Sequence, residues 1–366
     1  MSLSVGIIGL PNAGKSTVFN ALAKNQNAQC ASYPFCTIEP NRAVVPVRDK
    51  RVDRVAELVK PEKSAYATID FIDIAGLVQG ASNGEGLGNQ FLSQIRECDA
   101  LLHIVRCFED ENVAHVCGKI DPIQDMEIIN TELLLSDVQV LEKSVSSISK
   151  RIRNNPDLKP VLDIANALLD HLNQGEPASA FPKRDFEKAR ILRHETPLLT
   201  DKPTIYCANI GEDSIGTQNP CAEQVEEYAA ARNAQAETFC GSVESELAGL
   251  SDEERESFLD LYNLDDSALD ETIRKVYRSL GLCSFISAKP KEVRAWTIPV
   301  GCKAPQAAGK IHSDFERGFI RANVVKFEDF DSCGSIAAAR EAGLLHIEGK
   351  DYSVEDGDVI EFLFNV

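Results

Sequence analysis

The chain has 366 residues, of which 43% are hydrophobic and 26% charged, with a formal net charge of −19. Such a composition is typical of a soluble protein of two or three domains. No apolar run approaches the ~20 residues of a membrane helix, and the negative charge argues against a general nucleic-acid coat. We therefore expect neither a membrane nor DNA as a partner. The eleven cysteines are scattered without zinc-type spacing, which indicates reduced thiols in the cytoplasm.

A glycine-rich loop near the start of the chain indicates a phosphate-binding site. Residues 9–17 read Gly-Leu-Pro-Asn-Ala-Gly-Lys-Ser-Thr and fit the pattern G-x-x-x-x-G-K-[S/T]. A short apolar run precedes the loop and helically spaced apolar residues follow it, so a helix N-terminus should lie under the phosphates. Lys15 should reach the β- and γ-phosphates, and the Ser16 hydroxyl should bind Mg²⁺. The predicted nucleotide contacts of the loop are Pro11, Asn12, Ala13, Gly14, Lys15, Ser16 and Thr17.

Three further segments fit a switch that responds to the γ-phosphate and Mg²⁺. Asp73-Ile74-Ala75-Gly76 follows a predicted strand over 66–74, so that Asp73 can hold Mg²⁺ and the Gly76 N–H can meet the γ-phosphate. Thr37 lies in a loop where GTPase-like proteins take a second hydroxyl ligand for Mg²⁺, although a simple β-turn threonine is the alternative. The four glycines of residues 80–88 suit a mobile switch or a plain flexible loop.

The catalytic position departs from that of Ras-type enzymes. The residue after Gly76 is Leu77, where those enzymes carry the glutamine that orients the attacking water. Because leucine has no hydrogen-bonding group, either hydrolysis is slow or another group positions the water. His115, in the polar segment 109–118, is a candidate, although a lone histidine is more often structural or exposed.

The base-reading element is also unusual. GTPases place N-K-x-D after a strand, and the aspartate accepts two hydrogen bonds from guanine. The corresponding residues here are Asn209-Ile210-Gly211-Glu212. The longer carboxylate of Glu212 should spoil the guanine pairing, and an unpaired buried polar group costs about 1–3 kcal/mol. Guanine preference is therefore in doubt, and adenine becomes the competing base.

The remaining chain divides into a helical insertion and a C-terminal unit. Apolar residues from Leu134 to Ile152 and from Leu158 to Leu172 recur at steps of three and four, which predicts an antiparallel helical hairpin. We expect an α/β nucleotide domain with a mostly parallel sheet over 1–130 and 200–282, and an inserted coiled-coil domain over 131–199.

Residues 283–366 predict a small α+β domain of ubiquitin-like size. Its expected elements are the strands 295–300, 319–327, 351–354 and 359–364 and one helix, 335–342.

Together these motifs resemble those of the Obg-like ATPases, also called the YchF family. The resemblance runs from the phosphate loop through Asn209–Glu212 to the C-terminal stretches 291–300, 310–321 and 358–366, and it covers essentially the whole chain. It implies an ATPase with Mg²⁺, a C-terminal TGS domain of β-grasp fold, and a role on ribosomes in translation or stress control. It also implies that His115 acts in hydrolysis, that Asn12 supports K⁺ dependence, and that Ser242 belongs to a fifth nucleotide element.

Charge is unevenly distributed along the chain. Residues 289–326 hold eight basic and three acidic residues, a net of +5, and residues 211–272 hold two basic and 17 acidic residues, a net of −15. Each run can be a solvated face. Alternatively, the basic segment contacts ribosomal RNA. We expect a monomer, since the helical seam is satisfied within the hairpin. Two other functions stay open, an Obg-type GTPase with a degenerate base site and a nucleotide-stabilised adaptor.

Overall fold

The fold is taken from a computed structural model of the chain. The structure describes residues 3–29, 41–74, 87–110, 113, 115, 118–261 and 266–365. Within these residues, no helix combines the length and the apolar character that crossing a membrane requires. The strands are, in chain order, β1 (Ser4–Ile8), β2 (Arg42–Val47), β3 (Ser64–Ala65), β4 (Ala67–Asp73), β5 (Ala100–Cys107), β6 (Thr204–Ile210), β7 (Gln235–Phe239), β8 (Leu282–Ala288), β9 (Val293–Pro299), β10 (Phe319–Val325), β11 (His346–Glu348) and β12 (Val359–Phe364).

Helices connect and cover the strands. They are α1 (Lys15–Gln29), α2 (Lys50–Val59), α3 (Leu87–Glu97), α4 (Pro122–Arg151), α5 (Lys159–Asn173), α6 (Glu187–Glu195), α7 (Pro220–Ala231), α8 (Gly241–Leu247), α9 (Asp252–Leu261), α10 (Ala268–Ser279), α11 (Ala304–Ile311), α12 (Ser313–Arg317), α13 (Phe327–Cys333) and α14 (Ile336–Glu341).

The first sheet has the strand order β2-β4-β1-β5-β6-β7. Every neighbouring pair is parallel except β2 and β4, which confirms the predicted mostly parallel α/β architecture. Strands β1 and β5 are buried at every position, as expected for a sheet covered on both faces. Because the parallel strands end at one edge, the loops after β1, β4, β5 and β6 meet there, and this edge positions the site.

The helical hairpin forms between β5 and β6. Helix α4 is capped by Asp121, whose side chain accepts from the Gln124 N–H, and it begins earlier than the predicted start of the insertion. The eleven predicted seam residues all belong to one hydrophobic cluster, in which α5 packs against α4 and α6. They are Leu134, Val138, Leu141, Val145, Ile148, Ile152, Leu158, Val161, Ala165, Leu168 and Leu172. The heptad pattern therefore identified the contact face correctly. The break between α4 and α5 falls at Asn155, which caps a 3-10 turn at Pro156–Leu158.

The second sheet has the order β11-β10-β12-β8-β9-β3. The predicted strands 295–300 and 359–364 correspond to β9 and β12. Two C-terminal predictions were wrong. Residues 351–354 form no strand, because their backbone makes one isolated bridge, from Ser353 to Lys303. The segment also holds four helices, α11 to α14, where one was predicted. In particular, β10 ends at Val325, and α13 follows where the strand was expected to continue.

The two sheets share a hydrophobic core. Val5 and Phe71 of the first sheet belong to the same buried cluster as Ile286 and Val359 of the second. Strand β3 strengthens this connection, since it lies just before β4 in the chain but pairs in parallel with β9. At the rim, Arg51 pairs with Asp356 at 2.9 Å. The nucleotide part and the C-terminal part are therefore packed as one body along this boundary.

Candidate nucleotide-binding site

The loop after β1 has the backbone of an anion cradle. Gly9, Asn12 and Gly14 have φ angles of 155°, 64° and 99°. A Cβ atom on Gly14 would lie 2.1 Å from Asn209 Nδ2, and one on Gly9 would lie 2.5 Å from the Ile104 carbonyl oxygen. Both glycines are therefore required by space as well as by conformation. Of the neighbouring residues, Ala13 is buried, whereas Pro11 is half-buried and Asn12 exposed.

Lys15 lies beneath this loop with its ammonium inside the cradle. Nζ donates to the carbonyl oxygens of Gly9 at 2.9 Å and Leu10 at 2.8 Å, and the residue is 7% exposed. Burial lowers the pKa of the ammonium to about 8, and the nearby Asp73 carboxylate partly opposes this shift. A buried cation that neighbouring carbonyls only partly compensate is suited to receive a phosphate.

Asp73 and Ser16 supply oxygen atoms at the same edge of the sheet. Asp73 ends β4 and pairs in register with Ile7, while Ser16 is exposed in the first turn of α1. Burial raises the pKa of the Asp73 carboxyl, and the Lys15 ammonium acts in the opposite direction. Carboxylate and hydroxyl oxygens are ligands that Mg²⁺ prefers, so these residues fit the expected metal. The predicted residues Thr37, Gly76 and Leu77 lie outside the described residues.

Asn209 connects three distant parts of the chain. It is 4% exposed at the end of β6. Its Nδ2 donates to the Ala13 carbonyl oxygen at 3.0 Å, and its Oδ1 accepts from the Gly241 N–H at 2.9 Å. Both ends of the amide are thus engaged by backbone. In this arrangement Asn209 fixes the phosphate loop to the start of α8, whereas the sequence predicted contact with the base.

The other predicted base-site residues divide between core and surface. The Ile210 side chain is buried in a hydrophobic cluster with Val105 and Ala208, so only its backbone can face a ligand. Glu212 is exposed in a 3-10 turn over Glu212–Ser214. Ser242 is exposed in the first turn of α8. A base contact from the side chains of Glu212 and Ser242 is therefore sterically open.

His115 lies on the segment that leaves β5 toward α4. Its Nε2 is 3.0 Å from Asp125 Oδ2, and the two side chains are 7% and 4% exposed. Asp125 belongs to the first turn of α4. Burial raises the pKa of the Asp125 carboxyl, and the His115 hydrogen bond and the Arg106 charge oppose the rise. The predicted catalytic histidine is thus held by a buried carboxylate.

Two residues at this site, Arg106 and Asp125, were not predicted from the sequence. Arg106 is 3% exposed on β5 and donates to the Phe108 carbonyl oxygen at 3.1 Å. One signal was present, because Arg106 is a charged residue inside an otherwise apolar strand, and a buried charge requires a specific environment. Asp125 gave no such signal, since a carboxylate in the first turn of a helix is ordinary.

The first strand of a mostly parallel sheet leads through a glycine loop into a helix, and a buried lysine and a strand-end aspartate lie beside the loop. This arrangement defines a P-loop nucleotide-binding protein. A family model described as "50S ribosome-binding GTPase" matches residues 4–143. Another, YchF-GTPase_C, described as "Protein of unknown function (DUF933)", matches residues 282–365.

Full-length relatives identify the particular family. The chain is 49% identical over 367 residues to the "Ribosome-binding ATPase YchF" of Escherichia coli O157:H7 and 46% identical over 369 residues to that of Bacillus subtilis (strain 168), with 100% of both chains covered in each case. The solved structure titled "Structure of the Schizosaccharomyces pombe YchF GTPase" is similar with a TM-score of 0.87 and 33% identity, over 99% of this chain and 98% of that one. The chain belongs to the YchF family.

Proposed function

We propose that this chain is a Mg²⁺-dependent, slow ATPase that acts as a nucleotide-controlled switch on ribosomes. The main structural support for this proposal is the buried Lys15 ammonium inside the phosphate loop. Relatives that match the chain over its full length are named ribosome-binding ATPases, which supports both the nucleotide and the partner. We further propose a cytoplasmic monomer with a nucleotide domain over 1–130 and 200–282, a helical domain over 131–199 and a TGS domain over 283–366.

The residues expected around the phosphates and Mg²⁺ have distinct proposed roles. Lys15 binds the β- and γ-phosphates, and the backbone N–H groups around it complete the anion site. Ser16, Thr37 and Asp73 would hold Mg²⁺, which would neutralise phosphate charge there. The Gly76 N–H would donate to the γ-phosphate, and Asn12 is the residue proposed to support K⁺ dependence.

The segment after β6 is proposed to select the base of the nucleotide. Because backbone groups engage both ends of the Asn209 amide, Glu212 and the backbone at Ile210 are the proposed adenine contacts. GTP is the competing nucleotide, and the Schizosaccharomyces pombe relative is described as a GTPase.

Calorimetric titration tests nucleotide choice. Mg-ATP and Mg-GTP are titrated into the protein with and without K⁺, and the Glu212→Ala variant is measured beside the natural chain. We expect tighter binding of ATP and a smaller preference in the variant. Tighter binding of GTP would instead establish a GTPase, and equally weak binding of both would favour the adaptor.

His115 is proposed to position the attacking water by hydrogen bonding. We expect His115→Ala to lower the hydrolysis rate while the ATP dissociation constant is unchanged. The control is His194→Ala, a histidine in the last turn of α6 in the helical segment. Unaltered hydrolysis in His115→Ala would remove this residue from the mechanism.

The basic segment 289–326 is the proposed contact with ribosomal RNA, but its charges are not equivalent. Lys303 donates to the Asp351 carbonyl oxygen at 2.7 Å, and Lys326 contacts Asp358 at 2.7 Å, so both support the fold. Lys289, Lys291, Lys310 and Arg321 are exposed. The contact should therefore use this second group.

Co-sedimentation with ribosomes tests the surface. We expect the double variant Lys310→Glu and Arg321→Glu to bind more weakly, and binding of the natural chain to weaken as salt rises. The control is Lys60→Glu, an exposed lysine after α2. Equal sedimentation of both variants would exclude this surface as the contact.

A further inference from the structure

The contact between His115 and Asp125 constrains what the histidine can do. A histidine positions water only through a ring nitrogen that water can reach. Asp125 Oδ2 lies 3.0 Å from Nε2, and the His115 side chain is 7% exposed. In this arrangement the ring faces the first turn of α4. While this contact is made, Nε2 is occupied by the carboxylate and cannot hydrogen-bond a water molecule.

The surroundings of Asp125 leave polar atoms uncompensated. Among the described residues, Asp125 Oδ1 and Arg106 Nη1 are buried without a hydrogen-bond partner. Arg106 donates to the carbonyl oxygens of Phe108 at 3.1 Å and Asp110 at 3.5 Å, and it thereby holds the start of the segment that carries His115. Unpaired buried donors and acceptors are costly, and each one in a native protein calls for an explanation, of which a catalytic role is one. Asp125 therefore uses only one of its two carboxylate oxygens in the contact with His115.

We propose that Asp125 is a positioning residue that withholds His115 from the nucleotide, and that displacement of the first turn of α4 releases the ring. This proposal rests on the proposed role of His115 in hydrolysis. Helix α4 has 30 residues, a length of about 45 Å, and it carries half of the hydrophobic seam of the helical hairpin. A macromolecule that binds the hairpin and tilts α4 would move Asp125 and so control hydrolysis from a distance.

The first test measures kcat and KM for ATP in Asp125→Ala. We expect kcat to rise about tenfold, the change in population that follows loss of one hydrogen bond to a charged group, while KM stays the same. The matched control is Asp121→Asn at the N-cap of the same helix, because asparagine also caps helices and can accept hydrogen bonds from both partners of Asp121, the Gln124 N–H and the Lys119 ammonium. An Asp125→Ala rate at or below that of the natural chain would overturn the proposal.

The variant His115→Ala separates this proposal from the role of the histidine. If His115→Ala hydrolyses ATP normally, the proposed role of His115 fails and the withholding proposal fails with it. If His115→Ala is slow but Asp125→Ala is not fast, only the withholding proposal fails. In the double variant, the gain produced by Asp125→Ala must disappear.

A spectroscopic readout covers the case in which Asp125→Ala folds poorly. Asp125→Asn preserves the shape of the side chain and removes its charge. Nitrogen NMR of labelled histidine should show a distinct, hydrogen-bonded Nε2 signal for His115, assigned with His115→Ala, that changes in Asp125→Asn. An identical His115 signal in both proteins would overturn the proposed contact.

Discussion

The Lys15 ammonium donates to two carbonyl groups of its own loop, and this arrangement makes its charge sensitive to pH. Its pKa is lowered to about 8 by burial. Because the unfolded chain binds this proton up to the ordinary value of 10.5, stability rises with pH between about 8 and 10.5. Phosphate binding has the opposite preference, since it requires the charged form.

ATP binding should depend on pH because it requires the charged form of Lys15. Above a pH of about 8, we expect the affinity for Mg-ATP to fall by about tenfold per pH unit, with uptake of one proton on binding. Calorimetry one unit below and one unit above that value, in two buffers of different ionisation enthalpy, measures both quantities. Constant affinity across this interval would show that Lys15 keeps its charge.

Gly14 tests the fit between the phosphate loop and Asn209. In Gly14→Ala, a methyl group would meet Asn209 Nδ2 at 2.1 Å with φ at +99°. We expect loss of ATP binding and a decrease in unfolding free energy of about 1–3 kcal/mol. Gly175→Ala is the matched control, because φ is +88° there but the added Cβ has nothing within 4 Å. If both variants bind ATP equally well, the substitution at Gly14 acts only through backbone strain, and the contact with Asn209 does not affect ATP binding.

At this scale the sequence could predict residue types better than their contacts. The phosphate loop is a local pattern, so its glycines and Lys15 could be recognised from the sequence. The amide of Asn209 contacts Ala13 across 196 positions and Gly241 across 32. Rules that use only neighbouring residues cannot predict contacts between positions so far apart. For the same reason, the pairing of His115 with Asp125 could not be read from their spacing.

Among the elements, helix α4 shows how periodicity fixes a packing face. The Leu141 side chain is fully buried in the hairpin cluster, whereas Leu135 on the same helix is 43% exposed. We expect Leu141→Ala to lower the stability of the hairpin by about 2–5 kcal/mol through transfer and cavity terms. Leu135→Ala should cost less than about 1 kcal/mol. Hydrogen exchange of α5 measures both, and similar protection in the two variants would contradict this packing.

The elements that were missed have short or atypical patterns. Helix α11 buries Ala304, Ala307 and Ala308, so its apolar face is made of small residues that a search for large ones overlooks. Residues 351–354 show the opposite error. Tyr352 and Val354 alternate as in a strand and pack into the core, but the backbone there finds only one bridge partner. Alternation of apolar and polar residues predicts which side chains are buried. A strand also requires a neighbouring strand that pairs with it along its length.

At the scale of the whole molecule, the core shared by both sheets predicts coupling between nucleotide binding and the C-terminal sheet. Trp296, the one tryptophan in the sequence, lies on β9 and stacks with Phe285, and the two ring centroids are 6.4 Å apart. Its fluorescence therefore reports on the second sheet.

Thermal unfolding followed by Trp296 fluorescence measures the coupling. We expect Mg-ATP at a hundredfold excess over Kd to stabilise this transition by about 2.7 kcal/mol, because binding to one part stabilises the cooperative unit. Lys15→Ala, which should not bind ATP, is the control and should show no shift. A shift in circular dichroism without one in fluorescence would mean that the two sheets unfold independently.

The pairing of β3 with β9 also bears on how the protein is made. During synthesis, Val5 and Phe71 emerge from the ribosome long before Ile286 and Val359, with which they share a core. Residues 64–65 likewise wait for a partner strand more than two hundred positions away. Native packing of the early part can therefore be completed only when the final strand is released. A chain that stalls during its last 84 residues would present an unfinished apolar surface and an open strand to the cell.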